Sequence, residues 1–246
     1  MKHPALERLA ERHSLPAGAA EGLARLLAAL EAEPSPPTTV TLPSEALDSH
    51  IADSLSGLDV PDLRVAERIA DLGSGAGFPG LPLAVALPRA QVDLIESTRS
   101  KCEVIERLAE AAGTSNARAL PVRAEDWGRA PAGDGGAAEP EPSSGRGTYQ
   151  AVTARALAAA AVLVEYAAPL LAQDGVLVAW KGARSAEEER AAAAAAAEVG
   201  LALEGVRRVV PFPDARERHV HVYRKVGPTP ERYPRRAGMA AKKPLG

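Results

Sequence analysis

Thiols and aromatic rings are scarce in this sequence. Cys102 is the single cysteine, which excludes an internal disulfide and any cysteine-built metal cluster and agrees with a reducing compartment. Aromatic residues make up only 3% of the 246 positions, so the core must be aliphatic and alanine-rich, and few rings remain for base stacking. No run approaches the roughly 20 apolar residues that a membrane-spanning helix needs, and Met1-Lys2-His3-Pro4 lacks the apolar core of a signal peptide. A cytoplasmic protein is therefore expected. A strong excess of either charge is missing too: with a formal net charge of −3, any contact with nucleic acid must use a local basic patch.

What is present is ordinary for a soluble domain, with 46% hydrophobic and 25% charged residues, and the length suits one α/β domain with short extensions. A monomer is the default expectation. Over residues 5–31, Leu6, Leu9, Leu23, Leu26, Leu27 and Leu30 fall at helical spacing, broken at Leu15-Pro16-Ala17-Gly18, which predicts two helices joined by a turn. A further helix is expected over 44–58, with Ser44 as its cap and Glu45 in its first turn. Together these make an N-terminal helical extension, or cap, over residues 1–60.

From Arg64 short apolar runs alternate with longer helical stretches, the pattern of βαβ units and a parallel sheet. Strands are expected near 67–71, 91–95, 118–122, 149–153 and 175–180, and helices near 79–87, 99–112, 156–172 and 184–199. The runs 201–210 and 219–225 leave no room for a crossover helix and must pair as an antiparallel hairpin. Five parallel strands followed by a C-terminal antiparallel hairpin is the Rossmann-like layout of class I S-adenosylmethionine-dependent methyltransferases, here over 61–228. Residues 130–148, rich in Gly, Pro and acids without periodicity, read as a flexible insert, and 229–246 as a basic tail.

The strongest local signal is Asp71-Leu72-Gly73-Ser74-Gly75-Ala76-Gly77-Phe78-Pro79-Gly80, which follows a strand and opens a helix. Glycines there permit positive φ and close approach of backbone to a ligand. Gly75, Gly77 and Gly80 also satisfy the spacing of dinucleotide-binding loops, and Glu96 lies about 20 residues on, where a ribose-binding acid would sit. Two features favour S-adenosylmethionine. Asp71 would oppose a pyrophosphate but tolerate an ammonium and a sulfonium, and Pro79 and Pro82 remove N–H donors that a pyrophosphate would use. Glu96 at the end of the second strand can accept both ribose hydroxyls, and Ala124-Glu125-Asp126 after the third falls where the pocket rim should meet adenine. Solvated or helix-starting acids are the plain alternatives at both places.

With these residues placed, the sequence resembles the 16S ribosomal RNA guanine-N7 methyltransferase G family, also called glucose-inhibited division protein B. The resemblance rests on His50-Ile51-Ala52-Asp53-Ser54-Leu55, the loop from Asp71 to Pro82, Glu96-Ser97 with Lys101, and Arg123-Ala124-Glu125. It continues through Val152-Thr153-Ala154-Arg155-Ala156, Lys181-Gly182, Tyr233-Pro234-Arg235-Arg236-Ala237-Gly238 and Lys242-Lys243-Pro244-Leu245. It implies cofactor-pocket roles for Gly73, Phe78, Ala124, Glu125 and Arg155, and methyl transfer to N7 of a guanine in the decoding-region loop of 16S rRNA in the small ribosomal subunit. Gln150 stands where the family commonly has aspartate, and the 130–148 insert is longer than usual.

Guanine N7 carries a lone pair and no proton, so its methylation needs no general base, and no catalytic residue is assigned beyond a positioning role for Arg155. Arg155 could pair with the cofactor carboxylate or with an RNA phosphate. His50 and Asp53, at helical spacing, read as a structural hydrogen-bonded cap in preference to pocket groups. His219 and His221 share one strand face, but two ligands without a third make no metal site, and no metal is expected. In the tail, Arg232, Arg235, Arg236, Lys242 and Lys243 suit salt-dependent RNA contact, and Tyr233 could stack on a base. The competing readings are a methyltransferase of the same fold acting on a small molecule or protein, an NAD-dependent oxidoreductase, and an RNA-binding protein without catalysis.

Overall fold

A computed structural model describes residues 3–40, 42–129 and 144–246. Its centre is a seven-stranded sheet in the order β3-β2-β1-β4-β5-β7-β6. The strands are β1 Arg68–Leu72, β2 Gln91–Ile95, β3 Ala117–Leu120, β4 Tyr149–Arg155, β5 Leu171–Lys181, β6 Leu201–Val209 and β7 Arg218–Lys225. The first five run parallel. β7 is antiparallel to both β5 and β6, so the expected hairpin closes one side of the sheet.

The helices in chain order are α1 Pro4–Arg12, α2 Ala19–Ala32, α3 Pro43–Ala46, α4 Asp53–Leu55, α5 Pro61–Val65, α6 Gly80–Ala86, α7 Arg99–Ala112, α8 Ala124–Arg129, α9 Ala160–Ala167, α10 Ala186–Val199 and α11 Met239–Lys242. They cover both sheet faces, which is why the central strands read as continuous apolar runs. Alternate side chains of β5 show the two faces. Val176, Val178 and Trp180 pack with Leu6, Leu23, Leu81 and Ile105, whereas Leu177 and Ala179 pack with Leu163, Ala195 and Tyr233, as the period of 2 requires.

Three expected elements differ in detail. The helix expected over 44–58 is composite: α3, a π-helical stretch Leu47–Ala52, α4 and a 3-10 turn Ser56–Asp59. Ser44 is not its cap. Pro43 takes the first helical position behind Leu42 and no side chain caps the end, because the fixed φ of proline pre-sets that position. Ser54 Oγ donates to the His50 carbonyl and Ser56 Oγ to the Asp53 carbonyl at 2.6 Å, bonds that compete with a regular ladder.

The helix expected over 156–172 is shorter, since Ala156 has φ +53, outside the helical region. The third strand ends at Leu120 and is followed by α8, whose six residues are too few to show a period. The insert expected at 130–148 lies, apart from residues 144–148, outside the described residues. Arg146, in the described part of it, donates to the carbonyls of Gly128 at 3.0 Å and Tyr233 at 2.8 Å.

Candidate functional site

The glycine loop leaves the C-terminal end of β1, where ligands bind in parallel sheets. Gly73 N–H donates to the Ile95 carbonyl at 2.9 Å and Gly77 N–H to the Ser74 carbonyl at 2.7 Å, folding the loop back onto itself. Gly73 has φ +62, and a Cβ there would stand 2.5 Å from Leu157 Cδ1. Only glycine meets both conditions without strain. The loop forms one wall of a cavity of about 530 Å³, whose lining includes Gly73, Gly75, Phe78, Glu96, Ala124, Glu125 and Arg155. The seven residues expected at a cofactor pocket therefore meet around one space. Lys101, Thr38, Arg123 and Tyr166 also line it.

Asp71 does not face that space, which corrects the reasoning that set its charge against a ligand. It is fully buried; Oδ1 accepts from Thr153 Oγ1 at 2.9 Å and Oδ2 from Gly80 N–H at 3.1 Å. Burial pushes its carboxyl up to about 6 against the hydrogen bonds from Thr153 and Gly80. Asp71 pins the loop to α6, and in doing so uses the first N–H of that helix. The next, from Leu81, goes to the Gly77 carbonyl at 2.7 Å, and Pro82 has none. No donor at this helix end is left for a pyrophosphate.

Glu96 is buried beside the loop. Its Oε1 accepts from Thr98 N–H at 2.9 Å and its Oε2 from Gly75 N–H at 3.2 Å. Each oxygen keeps a second lone pair for ribose hydroxyls. Glu125 accepts from Gly238 N–H at 2.8 Å, and the Tyr166 phenol beside it is pushed up to about 12 by burial and by that carboxylate. The cradle fits an adenosyl group with a cationic side chain: a glycine loop held by backbone hydrogen bonds, the Glu96 and Glu125 carboxylates, and no free N–H at the start of α6 for a phosphate.

Arg155, at the end of β4, is held by the N-terminal segment. Its Nη1 donates to the Ser49 carbonyl at 2.5 Å and to Asp53 Oδ2 at 3.1 Å; Nη2 lies 3.2 Å from His50 Nδ1. A guanidinium only donates, so Nδ1 accepts and His50 Nε2 carries the proton, which it gives to Thr38 Oγ1 at 3.0 Å. Burial and the Arg155 charge lower His50 to about 4, which keeps it neutral near pH 7. Its ring stacks on Phe78 with centroids 4.3 Å apart. His50 and Asp53 thus join the hydrogen-bonded cap that their spacing suggested, and His50 also lines the cavity.

A second cavity of about 450 Å³ lies beyond this cluster, lined by Ser49, Asp53, Ala158, Trp180, Lys181 and Arg218 among others. Thr38, His50, Arg155 and Ala156 line both cavities. Trp180 Nε1 donates to the Asp53 carbonyl at 2.8 Å, and Lys181 pairs with Glu188 at 2.6 Å. An open groove sharing Gly182 and Arg218 with this cavity continues past Arg208, Arg216 and Glu217. Thr38, Trp180 and Arg218 escaped sequence reasoning, because nothing in their local pattern links positions so far apart in the chain.

The tail folds back onto the protein. Arg235 donates from N, Nε and Nη2 to the buried Glu165 carboxylate, at 2.6 Å for the closest contact. Tyr233 is buried and its hydroxyl donates to Glu198, so stacking on a base, as its place among basic residues suggested, is corrected: its ring fills the core beside α9. Arg232 lies 3.5 Å from Glu198. Arg236, Lys242 and Lys243 are exposed.

A cofactor-bound protein from MTB shares the fold with a TM-score of 0.54 at 20% identity, over 83% of this chain and 89% of that one. A 16S rRNA (adenine(1408)-N(1))-methyltransferase from Catenulisporales acidiphilia matches with a TM-score of 0.51 at 13% identity, over 69% and 89%. The strand order, with a glycine loop after β1, defines a class I S-adenosylmethionine-dependent methyltransferase. The model of the family described as rRNA small subunit methyltransferase G matches residues 35–219. Proteins named ribosomal RNA small subunit methyltransferase G are 41% identical in Rubrobacter xylanophilus, over 82% of this chain and 74% of that one, and 34% identical in Desulfitobacterium hafniense, over 85% and 81%. The chain belongs to the rRNA small subunit methyltransferase G family.

Proposed function

We propose that this protein methylates N7 of a guanine in the decoding-region loop of 16S rRNA, with the first cavity holding the donor and the second the base. The observation that carries this reading is the junction at Thr38, His50, Arg155 and Ala156, residues that line both a glycine-walled cavity and a second space at the ends of β4 and β5. The arginine groove that continues from the second space favours a polyanionic acceptor over a small molecule.

S-adenosylmethionine, when bound, supplies an electrophilic methyl group on a sulfonium. In this reading the backbone of residues 73–76 and Phe78 shape its seat, Glu96 takes the ribose hydroxyls, and Ala124 and Glu125 border the adenine. Arg155 fixes the width of the junction through its bonds to residues 49–53, and thereby the in-line approach of the two reactants. The neutral His50 adds no cation there. N7 loses no proton, so no residue has to remove one. Exposed Arg236, Lys242 and Lys243 remain candidates for RNA contact, as does Arg232, whereas Arg235 serves the fold. Among the described residues no helix is long and apolar enough to cross a membrane, and an rRNA substrate supports a cytoplasmic location.

The test is transfer of labelled methyl to unmethylated 16S rRNA, offered naked and in small subunits, with the modified base mapped. Label at a single guanine N7 that disappears in Gly73→Asp is expected. Cofactor binding without RNA labelling would overturn the proposal.

A further inference from the structure

The second cavity contains an unusual acid. Asp53 is 6% exposed, and its Oδ1 has no hydrogen-bond partner, while Oδ2 is held by Arg155. Arg218 Nε stands 3.8 Å from Oδ1, beyond hydrogen-bond length. A buried acceptor without a donor is costly. The backbone that carries it is fixed: Trp180 and Ser56 both donate to the Asp53 carbonyl, and the indole lies where a Cβ on Gly57 would clash at 2.3 Å. Asp53 lines the second cavity and is absent from the lining of the first.

Resting on the reading that the second cavity takes a guanine, we infer that Asp53 is the residue that recognises it, its carboxylate accepting from the N1–H and the exocyclic N2 amino group. N7 lies across the purine from that edge. With N1 and N2 held by Asp53, N7 is left free on the opposite edge of the base to meet the incoming methyl. The same carboxylate rejects adenine, which offers an unprotonated N1 and a C2–H there. Base identity and methylated atom follow from one contact.

Inosine keeps N1–H and lacks the N2 amino group, so it isolates this contact. Small-subunit rRNA is assembled by splinted ligation with guanosine or inosine at the methylated position. Methyl transfer is measured as kcat/KM, and equilibrium affinity is measured in the presence of S-adenosylhomocysteine. Wild type is expected to prefer guanosine by on the order of tenfold or more in both. Asp53→Asn is expected to bind S-adenosylmethionine within a few-fold of wild type, to methylate guanosine RNA poorly, and to show a guanosine-to-inosine ratio near one. A ratio near one in wild type, or an undiminished ratio in Asp53→Asn, overturns the inference while leaving the rRNA reading intact. Should the variant fail to bind cofactor, the wild-type ratio decides, since a carboxylate at that edge demands an inosine penalty. Absence of labelling on either RNA overturns the rRNA reading and this inference with it.

Discussion

The two cavities that meet at Arg155 are built in opposite ways. The first is made from short pieces at the C-terminal ends of successive parallel strands: residues 73–76 after β1, 96–98 after β2, 123–125 after β3. Along the glycine loop its wall is backbone and small side chains. The second is gathered from residues 38–40, 49–50, 53, 155–156, 158, 180–182 and 218, so that Asp53, Arg155, Lys181 and Arg218 reach it from separate elements. Two buried acids sharpen the contrast. Asp71 beside the first cavity has both oxygens partnered inside the protein, whereas Asp53 in the second keeps one oxygen without a partner. The first acid maintains the shape of the loop; the second, in the inference above, accepts from the base.

Breaking the junction has the largest expected effect. Arg155→Ala removes the 3.1 Å ion-pair partner of the buried Asp53 carboxylate and leaves it only Arg218 at 3.8 Å; breaking a buried pair costs about 3–5 kcal/mol. Denaturant unfolding would measure it, and methyl transfer should vanish as well. A loss below about 1 kcal/mol would show that other contacts hold the two cavities together.

A pH titration separates two groups beside the first cavity. Asp71 has a folded pKa of about 6 against an ordinary 3.8, so the native state binds its proton more tightly. Its contribution to stability rises as pH falls from 6 toward 4. His50 has a folded value of about 4 against 6.5, so its contribution is complete above pH 6.5 and is lost as pH falls toward 4. Each amounts to on the order of 2–3 kcal/mol, and they oppose each other. The advantage of wild type over Asp71→Asn should be larger at pH 4 than at pH 7, and its advantage over His50→Gln larger at pH 7. Parallel slopes would contradict the burial of one or the other.

The smallest effects concern the RNA surface. Replacing Arg208 and Arg216 by alanine should weaken RNA binding and lower the slope of log affinity against log salt by about 1 for each lost phosphate contact. The Arg236, Lys242 and Lys243 replacements should do the same if the tail touches RNA as well. An unchanged slope in either set would remove that surface from the interface.

Much of the architecture was readable from residue order because it depends on local spacing. The limits of α7 and β2 agree with expectation, and the hairpin of β6 and β7 followed from the lack of room for a crossover. The glycine loop and Glu96 were readable for a related reason, since a parallel strand delivers whatever follows it to one edge of the sheet. Asp71 shows where such reading fails: its position was correct, but its direction depended on Thr153 of a neighbouring strand. The tail misled in a similar way, because its charges suggested solvent and RNA while Glu165, 70 residues earlier, had already claimed Arg235.

The sequence alone therefore determined the sheet, the loop and the family, all of which rest on short-range periodicity, turn chemistry and contiguous motifs. Only the tertiary structure decided that Asp53, Arg155, Trp180 and Arg218 enclose one space and that one carboxylate oxygen there lacks a partner. Burial and hydrogen-bond satisfaction are set by contacts between distant residues, and no local pattern encodes them.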